Sequence, residues 1–325
     1  MIHADSRRAA LESWLAAQLR GERFSLTPAS VDASFRRYFR AALPDGRSYV
    51  VMDAPPGKED CRPFVHVAGL LRAAGVHAPE VHAEDLAQGF LLLGDLGTQT
   101  YLQELNADNA ARLLGDATDA LLRWQLATRP GGLPPYDEAL LRREMNLFPE
   151  WYVARHLKVS LSDSQNNSLE QIFRLLVKSA LAQPAVYVHR DYMPRNLMLS
   201  DPNPGVLDFQ DAVLGPISYD MVSLLRDAFV SWDEERVLDW SVRYWEKAKR
   251  AGLPVETDFA QFWRAFEWMG LQRHLKVLGI FARINYRDGK PKYLADAPRF
   301  IGYARAVSGR YAALAPLAGL LDELE

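Results

Sequence analysis

The stretch Val188-His189-Arg190-Asp191-Tyr192-Met193-Pro194-Arg195-Asn196 decides the reading of this chain, together with Val206-Leu207-Asp208-Phe209, whose Asp208 follows Asn196 by twelve residues. Leu197-Met198-Leu199 reads as a short strand. Asp201-Pro202-Asn203-Pro204-Gly205 is a dense turn signal, and Val206-Leu207-Asp208-Phe209 reads as the returning strand. Pairing Leu199 with Val206 sets Leu197 opposite Asp208, with Asn196 beside it. The predicted hairpin gathers two oxygen ligands around one hard cation. Mg2+ prefers such carboxylate and carbonyl oxygens and keeps room for phosphate.

Phosphoryl transfer needs positioning and charge neutralisation more than covalent chemistry. In that chemistry Asp191 accepts the proton of an attacking hydroxyl. Asn196 and Asp208 hold the magnesium that bridges the nucleotide phosphates, and His189 braces the loop. A base must lie within hydrogen-bond reach of its proton, and a rigid loop supplies that. A lone Asp in a loop is usually a turn former, and H-x-D alone is a weak signal. H-x-D-x-x-x-x-N followed by a hairpin and L-D-F is far rarer by chance.

These residues resemble the catalytic and metal-binding loops of the aminoglycoside phosphotransferase and choline kinase superfamily, relatives of the protein kinases. Gly215-Pro216-Ile217-Ser218-Tyr219-Asp220 continues the resemblance, which implies that Asp220 braces the catalytic loop from the start of a helix. From the residues alone, Asp220 is equally an ordinary N-cap before Met221-Val222-Ser223-Leu224-Leu225. The resemblance implies an α+β, protein-kinase-like bilobal fold, with a small antiparallel-sheet N-lobe and a larger, mostly helical C-lobe. Residues 1–96 are then a nucleotide-binding lobe, residues 97–325 a catalytic and sugar-binding lobe, and ATP and Mg2+ the cofactors.

With 325 residues, 49% hydrophobic and 24% charged, the chain has ordinary globular composition and enough material for a large core. Its length suggests two domains or lobes. A net charge of -3 gives no reason to propose nucleic acid or a membrane surface as a partner. The single cysteine, Cys61, excludes an intrachain disulfide and points to a reducing compartment. The opening residues lack the apolar core of a signal peptide. No run approaches the roughly 20 apolar residues of a membrane span. A cytoplasmic enzyme with a small-molecule substrate and no obligate protein partner is expected.

Along the chain, residues 9–20 pattern as an amphipathic helix through Leu11, Leu15 and Leu19. Asp45-Gly46 is a hairpin signal between residues 31–40 and 48–53. Residues 61–75 are apolar at helical spacing and stop at Gly75. Phe90-Leu91-Leu92-Leu93 reads as a buried strand, followed by Gly94-Asp95-Leu96-Gly97. The superfamily resemblance makes this the hinge, so Leu93, Gly94, Asp95 and Leu96 are candidate adenine contacts through their backbone. As a bare pattern it is a strand end with a Gly turn. Residues 98–128, 139–158 and 168–182 read as helical, as does nearly everything from 218 onward.

The expected phosphate-pairing Lys is missing from Tyr49-Val50-Val51-Met52-Asp53, and no Gly-rich loop precedes it. Ala33-Ser34-Phe35-Arg36-Arg37-Tyr38 stands there instead. Ser34, Arg36 and Arg37 are therefore candidate nucleotide contacts, since guanidinium forks suit phosphate. Lys58 is a further cation, and a solvated basic loop is the plain alternative. The combination S-F-R-R-Y-F-R (34–40), V-M-D-A-P-P (51–56), E-D-C-R-P-F (59–64) and R-H-L-K-V-L-G-I-F-A-R (273–283) looks like one subgroup, the bacterial anomeric kinases of amino sugars in cell-wall recycling. That resemblance spans roughly residues 30 to 303 and implies phosphorylation of the C1 hydroxyl of N-acetylmuramate or N-acetylglucosamine.

Residues 226–310 hold 16 Lys and Arg against 11 Asp and Glu. A polycationic acceptor would favour the opposite balance, and a sugar bearing a lactyl carboxylate suits this one. Arg195, Asp211, Arg273 and His274 are candidate acceptor-binding residues. Leu271, Leu275, Leu278 and Ile280 predict a buried helix face from which Arg273, Lys276 and Arg283 point away. Trp240, Trp245, Trp263 and Trp268 read as core aromatics, with stacking on a sugar ring as the other use. Two further readings stay open: an aminoglycoside or choline/ethanolamine-type phosphotransferase, and a nucleotide-binding module without chemistry.

Overall fold

The computed structural model describes residues 2–30 and 35–324. From the N-terminus, helix α1 (Ile2–Gln18) leads into strands β1 (Ser25–Ser30), β2 (Arg37–Ala42) and β3 (Ser48–Asp53). Helix α2 (Arg62–Ala73), strands β4 (Val81–Asp85) and β5 (Phe90–Gly94), and helices α3 (Tyr101–Glu104) and α4 (Ala110–Leu126) follow. Helix α5 (Glu138–Met145), a π-helix (Phe148–Leu157) and α6 (Asp163–Ala182) precede strand β6 (Ala185–Val188). Short strands β7 (Leu197–Met198), β8 (Gly205–Val206) and β9 (Val213–Pro216) come next. The remainder is helical: α7 (Tyr219–Leu225), α8 (Glu234–Arg250), α9 (Phe259–Asp288), α10 (Ala297–Arg310) and α11 (Ala315–Glu323). The fold is α+β, as the sequence predicts.

Contacts divide the chain into two compact units, Met1–Trp124 with Arg195–Asp211, and Gln125–Pro194 with Ala212–Glu325. The first holds an antiparallel sheet in the order β1-β2-β3-β5-β4. Asp45-Gly46 closes the β2–β3 hairpin, Gly46 taking the positive φ that a side chain would resist. Alternation puts Phe39, Ala41, Val51, Phe90 and Leu92 on one face, and Leu11, Leu15 and Leu19 of α1 cover it. Strands β1 and β4 carry no sequence signal because both are edges. There Pro28 costs no ladder bond and polar residues are tolerated.

Two helices predicted as continuous are broken. Residues 139–158 divide where Pro149, which has no N–H to donate, starts the π-helix. Residues 98–128 divide at Asn106, whose side-chain oxygen accepts from the amides of Asp108 and Asn109 in place of a helical carbonyl.

In the second unit α9 runs for 30 residues and is buried all round from Leu271 to Gly279. The predicted two-faced helix is corrected here. Arg273 and Lys276 are buried with the leucines, while Ile280 is only half-buried. Gly279 lets α9 approach the chain before the π-helix: a Cβ there would lie 2.3 Å from the Leu147 carbonyl carbon. Among the described residues no helix is long and apolar enough to cross a membrane.

Candidate active site

Strand β6 pairs with β9, Val188 opposite Val213, and the chain leaves β6 into His189 and Arg190. The amides of both residues donate to the Asp220 carboxylate, at 2.7 and 3.0 Å. Asp220 lies in the first turn of α7, behind the N-cap Ser218. It is thus a brace on the loop and not the cap. Arg190 adopts φ +76°, a left-handed conformation that side-chain-bearing residues seldom take. The amide of Asp191 donates to His189 Nδ1 at 3.2 Å, and the amide of Met193 to the Asp191 carbonyl at 2.9 Å. His189 is buried edge-on against Tyr192, ring centroids 5.5 Å apart. Asp191 is left partly exposed at the head of a loop held by three sets of bonds.

Burial pushes the Asp220 carboxyl up to about 7, against the two backbone N–H bonds that favour its charge and together with the nearby negative Asp191. A carboxyl raised above its unfolded value of about 4 contributes stability in full below that pH and loses it as pH rises through the folded value. The stability of wild type relative to Asp220→Asn should therefore fall by up to about 4 kcal/mol between pH 4 and 7 and level off above. Urea unfolding of both proteins across that range measures it, and a constant difference would refute the assignment.

In the first unit the hairpin departs from its predicted register. Leu197 pairs with Val206 and Met198 with Gly205, a shift of two residues from the pairing of Leu199 with Val206. Other segments take the bonds that the expected ladder needed. Leu199 N donates to the Gln99 carbonyl and Val206 N to the His77 carbonyl. His77 Nδ1 also lies 3.0 Å from Ser200 Oγ. Asp208 consequently sits past the ladder, at φ +63°, rather than opposite Leu197.

The two candidate metal ligands still meet. Leu207 N donates to the Asn196 carbonyl at 2.9 Å, and Asn196 Nδ2 lies 3.3 Å from Asp208 Oδ2. Gln210 Nε2 donates to Asp208 Oδ1 at 2.9 Å. Phe209 is buried against Phe64, ring centroids 4.7 Å apart, and anchors the loop. The donor types fit Mg2+. One carboxylate and one amide oxygen, once the Asn196 amide turns, form the sparse set that leaves positions for water and phosphate. Among the described residues no group of three His, Cys, Asp or Glu side chains could hold a metal, so there is no all-protein cage within that set.

The other candidate residues divide between the two units. Ser34 lies outside the described residues. Arg36 is 3.7 Å from Glu59. Arg37 is committed to the fully buried Asp53, which also accepts from Arg7 at 2.6 Å, so its guanidinium is already engaged. Lys58 lies over the Phe35 ring at 5.1 Å. Leu93 is inside the sheet, paired with Val50, and Gly94 N donates to the Glu80 carbonyl. Asp95 accepts from Arg40 at 2.6 and 3.0 Å and from Gly97 N, which leaves backbone rather than side chain for a ligand beside buried Leu96. Burial opposes the charged form of Asp95, but Arg40 and the Gly97 amide hold its carboxyl below the usual range.

Arg195 and Asp211 are exposed, whereas Arg273 and His274 are buried in α9. Burial, with the positive Arg226 and Arg273 alongside, pushes His274 well below its ordinary value. Its ring stacks on Tyr303 at 5.0 Å. Among the described residues neither His274 nitrogen has a hydrogen-bond partner, nor does Arg273 Nη1 or Asp227 Oδ1. Trp232 and Trp240 meet edge-on, and Trp263 stacks on Phe266, so these aromatics pack against each other. Sequence reasoning missed Glu144 and Asp227. Both sit among ordinary helix and loop charges with no spacing to single them out.

The family model for the phosphotransferase enzyme family matches residues 25–257, and the chain belongs to that family. It is an enzyme that transfers a phosphoryl group to a hydroxyl acceptor. The chain is 60% identical over 301 residues to a protein of Pseudomonas putida named N-acetylmuramate/N-acetylglucosamine kinase, covering 93% of this chain and 88% of that one. A protein of the same name from Neisseria meningitidis serogroup B is 53% identical over 322 residues, covering 98% and 96%. Among solved structures, choline kinase LicA from Streptococcus pneumoniae superposes with a TM-score of 0.66 at 12% identity, covering 92% of this chain and 99% of that one. At that identity the likeness concerns the fold alone.

Proposed function

We propose that this enzyme uses ATP to phosphorylate the anomeric C1 hydroxyl of N-acetylmuramate, N-acetylglucosamine or both. The observation that carries the reading is identity above one half, over nearly the whole chain, to relatives named as kinases of those two sugars. Asp191 takes the proton of the C1 hydroxyl as its oxygen bonds to the γ-phosphorus and the bond to the departing ADP breaks. The C1 hydroxyl is hemiacetal and the most acidic on the ring, which suits a carboxylate base. Asn196 and Asp208 would hold Mg2+, which would supply neutralisation of the phosphate charge. Residues 1–96, with the backbone of Leu93 to Leu96, serve the nucleotide, and residues 97–325 the chemistry and the sugar.

Arg273, His274 and Asp227 form the acceptor-recognition set in this reading. Their buried atoms without a hydrogen bond supply the polar groups that this reading assigns to the acceptor. Arg195 and Asp211 are further, exposed candidates. The sugar 1-phosphate then feeds a nucleotidyl-transfer step toward a nucleotide sugar in cell-wall recycling, in the cytoplasm, where ATP is available. No nucleic acid, membrane or protein partner enters the scheme.

Phosphorus NMR of the product from N-acetylmuramate and ATP tests it. A new phosphomonoester resonance coupled to the anomeric proton is expected. Transfer to kanamycin or choline and to neither amino sugar would reverse the assignment, and ATP binding with no product on any acceptor would leave a silent module.

A further inference from the structure

One carboxylate in the second unit serves two buried cations. Glu144, on α5, is 5% exposed. Its Oε1 accepts from Lys276 Nζ at 3.0 Å and from the Arg190 guanidinium, while Oε2 accepts from the Tyr136 hydroxyl. Lys276 Nζ also donates to the Tyr219 hydroxyl at 3.0 Å. Burial opposes the charged form of Glu144, but Lys276, Arg190 and the Tyr136 hydroxyl together hold it down at about 2. Buried charge of this kind is costly unless its partners are well placed, and the arrangement lies next to the proposed base in sequence. Arg190 and Lys276 both feel the negative Asp191 carboxylate.

Arg190 is clamped at both ends. Its amide is bound to Asp220, its guanidinium to Glu144, and between them its backbone holds the strained φ of +76°. Releasing either end frees the peptide that leads directly into Asp191. We propose that Glu144 is a positioning residue for phosphoryl transfer: by anchoring the Arg190 guanidinium it locks the left-handed turn that presents Asp191. Lys276, 3.0 Å from the same Glu144 oxygen, is the second cation on that carboxylate. The inference rests on the reading of Asp191 as the base. A carboxylate that merely balanced two buried cations would matter for folding and not for turnover.

Two variants of the full chain separate these roles, one removing the anchored cation and leaving a balanced pair, the other removing the anchoring carboxylate together with its second cation. Arg190→Met leaves Glu144 and Lys276 as a one-to-one pair. The double variant Glu144→Met with Lys276→Met keeps Arg190 and removes its anchor, since Met offers no oxygen to the guanidinium. Arg190→Met should melt near the wild-type temperature, and the double variant, which leaves the Arg190 guanidinium without its carboxylate, somewhat lower. In both, kcat with N-acetylmuramate should fall on the order of 10²-fold, with KM for sugar and ATP within about threefold of wild type. Hydrogen–deuterium exchange at the amides of His189 to Met193 should quicken in each. Wild-type exchange across that segment in the double variant, or kcat within about threefold of wild type, would overturn the proposal. Wild-type protein inactive on both sugars would instead sink the substrate reading, and the exchange measurement would still judge the clamp.

Discussion

Asp191→Asn should lower kcat by roughly 10²–10⁴-fold, the range that a positioned general base contributes. Asn keeps the size of the side chain and leaves the backbone bonds of the loop untouched. Those bonds run from the amides of His189 and Arg190 to Asp220, and from the Asp191 amide to His189. Thermal stability should therefore change little. The affinity for ATP should also hold, because in the proposed mechanism the lost interaction belongs to the proton transfer, and an effect on kcat alone marks a contact made in the transition state. Steady-state kinetics with both substrates varied, alongside an ATP titration followed by thermal shift, measures it. Turnover near wild type would remove Asp191 from the mechanism.

Asp208→Asn is the second large effect, a loss of roughly 10²-fold or more at millimolar Mg2+. Asn is the informative replacement because the position requires φ +63°, which Asn tolerates better than most residues. The amide oxygen still accepts from Gln210, so the loop should keep its shape. What disappears is the negative charge of the proposed hard-cation ligand. The Mg2+ concentration for half-maximal rate should rise, and raising Mg2+ further should restore part of the activity. An unchanged Mg2+ requirement would show that the ion is held elsewhere.

The parts of the fold legible in the sequence were those with local signals. Leu11, Leu15 and Leu19 marked a helix by spacing, and Asp45-Gly46 marked a hairpin by turn chemistry. The H-x-D-x-x-x-x-N spacing marked the loop that Asp220 braces. Edge strands β1 and β4 were invisible because an edge asks little of its residues. The hairpin register failed for a different reason. The amides of Leu199 and Val206 bond to Gln99 and His77, about a hundred residues earlier, and no local pattern announces that. Glu144 was missed on the same ground. Its partners Arg190 and Lys276 lie far along the chain, and a Glu in an eight-residue helix ordinarily faces water. The periodicity of the leucines points Arg273 and Lys276 away from the buried face because it assumes that only one face of a helix is buried, and the middle of α9 is buried on every side.

The bonds from His77 and Gln99 to the short hairpin carry a consequence for biosynthesis. Residues 195–211 complete a unit whose remainder ends at Trp124. A ribosome that has released the first 124 residues has made the five-stranded sheet but not the piece that covers those carbonyls. Until seventy more residues have emerged, those two backbone acceptors bond to water in place of the hairpin amides. The lobes of this enzyme cannot mature strictly one after the other. An N-terminal fragment meant to fold alone has to carry the later hairpin with it, joined by a linker in place of residues 125–194.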